Sequence, residues 1–296
     1  MDGTLFQQMP QFVVSGLTHG SIYALIALGF CMVQNATGIV NFAQGDFVML
    51  GALMAVTLLK KLGLPMAAAL VGAVFFGAAC GLALDRGPLR HARHRNVLVL
   101  VMITVGVSIS VRGAAMLVWG KNVHALPSLG KETPIILGPA AVVPQVLWII
   151  GLSILILGLL YAFYRHTLLG KAMRAAADNP YGAVLIGISV SKVTALAFAM
   201  AGSMGALAGI LIAPLTSMNY SGGLMLGLKG FSAAILGGYG SVIGAVFGGY
   251  LLGLLEAFGA GFLSSAYKDA FAFVILLAVL FVRPAGLFGS ERVRRL

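Results

Sequence analysis

The stretch Gly29–Ala52, GFCMVQNATGIVNFAQGDFVMLGA, decides how this chain is read. A long apolar run is interrupted by Gln34, Asn35, Thr37, Asn41, Gln44 and Asp46, with Gly38 and Gly45 among them, and then turns apolar again. In a chain this hydrophobic, the interruption is either a loop at the bilayer surface or a helix broken inside the membrane. A broken helix leaves backbone N–H and C=O groups free at depth, which is tolerable only where protein or a water-filled cavity satisfies them. That is the arrangement expected along a substrate pathway.

The membrane setting follows from composition. Of 296 residues, 60% are hydrophobic and only 9% are charged, and mean hydropathy is +1.01; a soluble domain is about 25% charged. The 40 glycines lie largely inside apolar segments, where small residues let membrane helices approach closely. At roughly 20 residues per crossing, the chain has room for about eight to ten segments. The expected architecture is therefore an all-α polytopic membrane protein, one domain over 1–296, with some helices short or broken.

Moving outward from the break, apolar segments cover about Phe12–Val33, Phe47–Leu59, Pro65–Leu84, Val97–Trp119, Gln145–Phe163 and Val190–Ala213, then 224–238, 241–259 and 266–282. The net charge of +11 does not point to nucleic acid. Its arginines gather in short segments between apolar runs, which is how orientation in a bilayer is set. Segments 85–96 (DRGPLRHARHRN), 164–180 and 283–296 are accordingly expected on the cytoplasmic side. The connection 120–144, flanked by Trp119 and Trp148, falls outside. Residues 1–11 hold no Lys or Arg, so no signal-peptide n-region precedes the first segment and an outward N-terminus is expected. Arg112, inside an apolar segment, pairs, snorkels or lies near the far interface. His91 and His94 read as part of a solvated basic loop, and Cys31 and Cys80 as small buried hydrophobes.

Two further stretches stand out. The segment 224–238 is short for a crossing, carries Lys229, and ends in Gly237-Gly238-Tyr239-Gly240. It is a second broken-helix candidate and a faint echo of the first, as interruptions in two halves of a transporter would be. Residues 168–178 read as a short helix with an apolar face, with Arg174 and Asp178 at i,i+4, ended by Asn179-Pro180. A helix in a loop between membrane segments suggests docking to a partner or to the membrane surface, or a mere extension of the next helix.

Catalytic signatures are missing. Gly170-Lys171 lacks the glycine spacing of a phosphate-binding loop, and Ala172 stands where Ser or Thr is needed. HExxH, CxxC and GxSxG are absent too, so the chain reads as no enzyme and as needing no metal or other cofactor. Only Asp46 and Glu256 look like embedded acids, and an ion-coupled carrier built around them is a rival reading.

The run Gly38-Ile39-Val40-Asn41-Phe42-Ala43-Gln44-Gly45-Asp46-Phe47, followed by Met49-Leu50-Gly51-Ala52, resembles the signature of LivH-type permease subunits of bacterial branched-chain amino acid ABC transporters. Ser15-Gly16-Leu17 to Tyr23-Ala24-Leu25, and Phe231 to Gly253, resemble the same family. The resemblance covers nearly the whole chain. It implies an inner-membrane importer subunit working with a homologous LivM-type permease, two cytoplasmic ABC ATPases and a periplasmic amino-acid-binding protein. The cargo it implies is leucine, isoleucine and valine, with urea, amides or other amino acids as alternatives within the family. It also implies an ATPase-coupling role for Gly170–Pro180. Within that role, Lys171, Arg174 and Asp178 would supply polar contacts, and Leu169 and Met173 apolar packing beside Gly170. Asn41, Gln44, Gly45, Asp46, Gly237 and Gly238 would line or gate the translocation path, or satisfy the broken backbone.

Overall fold

The computed structural model describes residues 2–92, 96–130, 133–137, 140–262 and 268–289. In chain order the helices are α1 (Asp2–Thr37), α2 (Gln44–Lys60), α3 (Met66–Leu84, extended by a wider π-type turn at Asp85–Leu89), α4 (Val97–Trp119), α5 (Pro144–His166), α6 (Leu168–Asp178), α7 (Pro180–Leu185), α8 (Val190–Thr216), α9 (Gly222–Gly237), α10 (Val242–Phe262) and α11 (Lys268–Val282). A small antiparallel hairpin, β1 (Ile135–Leu137) and β2 (Ala140–Val142), sits in the connection before α5, with Ile135 opposite Val142. Among the described residues, six helices are long and apolar enough to cross a membrane: α1, α3, α4, α5, α8 and α10. The shorter α2, α9 and α11 have 17, 16 and 15 residues. Of the basic segments, Arg93, His94 and Arg95, and Arg292, Arg294 and Arg295 of the tail, lie outside the described residues.

The long helices divide into a core and a periphery. The most apolar windows of α1 and α8 are 89% and 72% buried, whereas those of α4 and α5 are 11% and 17% buried. Glycines explain the core. Along α1, Gly16 and Gly20 lie against Leu254 and Tyr250 of α10, while on α3 Gly77 lies against Gly202 and Ala206 of α8. At these crossings a Cβ would enter the neighbouring backbone, so the small residue permits the approach.

Helix α1 runs further than its apolar content predicts. Gln34 and Asn35 are helical rather than part of the break, and Asn35 Nδ2 donates to the Gly240 carbonyl at 2.8 Å. Asn35 thus ties the end of the helix to the turn before α10. Helix α8 likewise continues past Pro214 to Thr216.

The core also contains an inverted repeat. Helix α1 packs on α10 as α8 packs on α3, and α1 meets α9 as α8 meets α2. The start of α1 and the end of α8 both reach the connection before α5: Gln11 Oε1 accepts from the Ala141 N–H at 3.1 Å, and His124 and Met218 exchange backbone bonds at 2.8 Å. The two units therefore run in opposite directions. Their short helices cross reciprocally: Gly45 abuts Gly223 and Gly227, while Gly223 abuts Gly45 and Met49. Contact of i with j and of j with i is the signature of a two-fold relation, here between inverted units. This corrects the expected echo. The counterpart of Asn41-Phe42-Ala43-Gln44-Gly45 is Asn219-Tyr220-Ser221-Gly222-Gly223, before α9, and not the glycines that end α9.

Candidate functional site

The polar break is a re-entrant turn inside the bundle. Gly38, with φ +73°, turns the chain back after α1, and α2 begins at Gln44 beside Gly29, where any Cβ would overlap the Gln44 side chain. Gly29 lies eight residues before the end of α1, about 12 Å below it along the helix axis. Several freed backbone groups in the turn find protein partners. The Asn41 carbonyl accepts from the Gln44 N–H at 3.1 Å, and Asn41 Oδ1 accepts from the Ala43 N–H at 3.1 Å. Thr104 Oγ1 on α4 accepts from the Phe42 N–H at 3.1 Å, and Gln44 Nε2 donates to the Ala201 carbonyl of α8 at 2.9 Å. Asn41 and Gln44 are fully buried. Of the two readings open from the residues, the broken helix is the one observed, with protein meeting the hydrogen-bonding demand.

Asp46 lies in the first turn of α2 and is buried. Arg112 Nε stands 3.4 Å from its Oδ1, and Arg112 also donates to the Ser108 carbonyl at 3.3 Å and to Ser108 Oγ at 3.1 Å. A helix N-terminus favours a carboxylate, and a nearby guanidinium offsets the desolvation that burial imposes. This settles Arg112: it pairs. Thr104, Ser108 and Arg112 recur every four residues, so they make one polar seam on a helix otherwise turned outward. Thr104 and Ser108 were not expected as site residues, although their spacing from Arg112 was visible.

Between the two short helices lies a cavity of 30 Å³, walled by Phe30, Phe42, Asp46, Leu224, Leu228 and Phe231. That is room for about one water. The crossing is closed in this conformation. A Cβ on Gly227 would come to 2.7 Å from the Gly45 Cα, so the two backbones already touch.

The second embedded acid is also paired. Glu256 of α10 accepts from Lys229 Nζ of α9 and, at 2.6 Å, from the Tyr23 hydroxyl of α1. All three side chains are buried. The cluster ties α1, α9 and α10 together. The sequence exposed the two charges but not their meeting, since 27 residues and a helix turn separate them. Gly237 and Gly238 are elsewhere. They close the turn from α9 to α10, where Gly237 abuts Gly244 and Gly238 abuts Gly289. The structure does not bring them to the Asn41–Asp46 turn.

Helix α6 forms as expected. Thr167 Oγ1 caps it by accepting from the Gly170 N–H at 2.9 Å, and Asn179 Oδ1 accepts from Gly182 at 2.9 Å to start α7. Its faces differ from expectation at two positions. Gly170 is pressed against Phe163 and Tyr164 of α5, and Met173 packs with Ala176, Ala183, Val193 and Ala197. Both are buried because the apolar stripe of α6 covers its own chain. The exposed apolar residues are Leu168 and Leu169, at 84% and 59% exposure, and Lys171, Arg174 and Asp178 are exposed polar positions.

A helical core of inverted units, a re-entrant helix and buried ion pairs define a multi-pass membrane transport protein. The model of the branched-chain amino acid transport system / permease component family matches residues 12–280, and the chain belongs to that family. It is 35% identical over 300 residues to the high-affinity branched-chain amino acid transport system permease protein LivH of Salmonella typhimurium, covering 96% of this chain and 97% of the relative. Identity to the corresponding BraD protein of Pseudomonas aeruginosa is 36%, over 96% of this chain and 97% of that one. Among solved structures, PsaBC from Streptococcus pneumoniae in complex with Fab aligns with a TM-score of 0.54 at 14% identity, over 96% of this chain and 97% of that chain; it shows the fold. The chain is thus a transport component and not an enzyme.

Proposed function

We propose that this chain is the LivH-type subunit of an ATP-driven importer of leucine, isoleucine and valine at the bacterial inner membrane. The observation that carries the reading is the similarity to LivH and BraD along nearly the whole chain. A homologous LivM-type permease completes the membrane pathway, two cytoplasmic ABC ATPases drive it, and a periplasmic amino-acid-binding protein delivers the substrate. The N-terminus faces the periplasm and the C-terminus the cytoplasm, in keeping with the basic segments.

The translocation path passes the crossing of α2 and α9. Gly45 lets the backbones touch in the closed state, and Asp46 with Arg112 holds the start of α2. Asn41 and Gln44 brace the turn, while Asn41 Nδ2 and Gln44 Oε1, buried with no hydrogen-bond partner, are polar atoms available when the crossing parts. Gly237 and Gly238 act as a hinge between α9 and α10. The pairing of both embedded acids favours this pathway over an ion-coupled carrier, because neither carboxylate is left as a lone proton or sodium site.

Helix α6 carries motion from the ATPases. Leu168 and Leu169 present the apolar contact and Lys171, Arg174 and Asp178 the polar ones, while Gly170 and Met173 transmit the movement inward to α5 and α8. Replacing Leu169 and Lys171 together with Asp should leave the complex assembled but abolish transport-coupled ATP hydrolysis; unchanged coupling removes α6 from this role. The substrate is tested with the complete complex in proteoliposomes, measuring binding-protein-dependent uptake of labelled leucine, isoleucine, valine, urea and amides. Uptake of urea or amides in place of the branched-chain amino acids overturns the cargo. Uptake by the isolated permease on a proton or sodium gradient overturns the mechanism.

A further inference from the structure

A cleft of 380 Å³, left unused by the pathway, lies where α1, α5, α6 and α10 meet. Its floor is apolar and belongs to membrane-spanning helices, with Met32 of α1 and Val242 and Ile243 of α10. Tyr161 and Tyr164 stand on the α5 side, and Arg165 and Arg174 come to the same cleft from α5 and α6. No acidic residue is among its lining residues. Arg165 is held in place: it donates to the Tyr161 hydroxyl at 2.6 Å, and its guanidinium lies 5.8 Å from the centre of that ring.

We propose that this cleft binds one anionic phospholipid of the cytoplasmic leaflet, with its phosphate between Arg165 and Arg174 and its upper acyl chain on Met32, Val242 and Ile243. Guanidinium groups match a phosphodiester with paired donors. Tyrosines suit the headgroup level of a bilayer, and basic pockets between membrane helices on the cytoplasmic side take acidic headgroups. A protein loop is the poorer occupant. Leu168, Leu169, Lys171 and Asp178 do not line the cleft, so of the α6 residues offered to an ATPase only Arg174 is shared with it. A lipid here bridges α5 to α6 and sets the angle at which α6 leaves the membrane. Lipid composition thereby regulates coupling. The inference rests on reading this end of the bundle as cytoplasmic.

The test uses the purified complete transporter, titrated with phosphatidylglycerol or with phosphatidylcholine and followed by native mass spectrometry. Phosphatidylglycerol should be retained preferentially by the unmodified complex. Arg165→Gln and Arg174→Gln should each weaken it about fivefold, the scale of one cation near an acidic headgroup, and Arg165→Lys should restore part of the loss. Arg90→Gln, on another loop, should change nothing. Equal retention by the Arg165→Gln/Arg174→Gln variant, or displacement by inorganic phosphate, overturns the proposal. A photoreactive residue at Ile243 should capture lipid; capture of the second permease or an ATPase also overturns it. Labelling of Lys171→Cys in right-side-out vesicles reads the orientation separately, so a wrong topology is distinguished from a missing lipid site.

Discussion

The two re-entrant turns, Asn41–Gly45 and Asn219–Gly223, share a backbone design and differ in what surrounds it. In each, an Asn side chain accepts from the N–H two residues on, at 3.1 Å in both, and a short helix follows. In each, the glycine four residues after the Asn touches its counterpart. Yet Asn41 is fully buried, in a turn that Phe42 and Gln44 brace against α4 and α8, whereas Asn219 is half-buried. Position 46 is an acid paired with Arg112, and its counterpart Leu224 is an exposed apolar residue. The second unit carries its charge on α9 at Lys229, paired to Glu256. A repeated fold therefore repeats what the backbone needs, a turn cap and a glycine at the crossing. Charges are free to move as long as each finds a partner in the low-dielectric interior.

The comparison can be broken most strongly at the buried charges. Lys229→Met alone strands Glu256, and should cost about 3–5 kcal/mol, seen as loss of the folded permease in a thermal-stability assay in detergent. The Lys229→Met/Glu256→Leu double variant should recover most of it; equal loss in both would mean that the pair is not the reason for the effect. At the crossing, Gly45→Val and Gly223→Val should each cost about 1–3 kcal/mol by overpacking and reduce uptake alike. Tolerance at one position only would end the two-fold equivalence. Arg112→Gln should cost about 2 kcal/mol, between an exposed and a fully buried pair, since its side chain is 23% exposed. Adding Asp46→Asn should relieve that loss, and Leu224→Asp should not reproduce the stabilising role of Asp46, because among the described residues no cation lines the cavity that Leu224 borders. The smallest effect separates the two caps. Asn41→Ala should cost about 1–2 kcal/mol, as a buried bond, and Asn219→Ala about half of that. Similar values would mean that burial does not distinguish the turns.

Much of this is legible in the sequence. Hydropathy located nearly all the apolar segments, and Gln44, Asp46 and Gly45 were visible as an anomaly inside one of them. Asn179-Pro180 marks the end of α6. The assignment failed where register mattered. Matching the Gly-rich stretch 224–240 to the first break followed composition, which glycines satisfy almost anywhere in this chain. The structural match at Asn219 rests on a hydrogen bond and on a reciprocal contact. An apolar residue on a loop helix, such as Met173, can face a partner or its own bundle, and only the packing against Ala183, Val193 and Ala197 chooses.

By itself the sequence determined that this is a polytopic membrane permease, which family it resembles, and that the Asn41–Asp46 stretch is a polar interruption of an apolar run. Those properties are carried by local composition and by runs of residues adjacent in the chain. Tertiary structure alone decided that Asp46 meets Arg112, that Glu256 meets Lys229 and Tyr23, and that the true partner of the first turn begins at Asn219. Those meetings depend on which helices cross at which level. In a chain where nearly every segment is apolar, hydrophobicity does not rank one crossing above another; close glycine contact and the pairing of buried charge do.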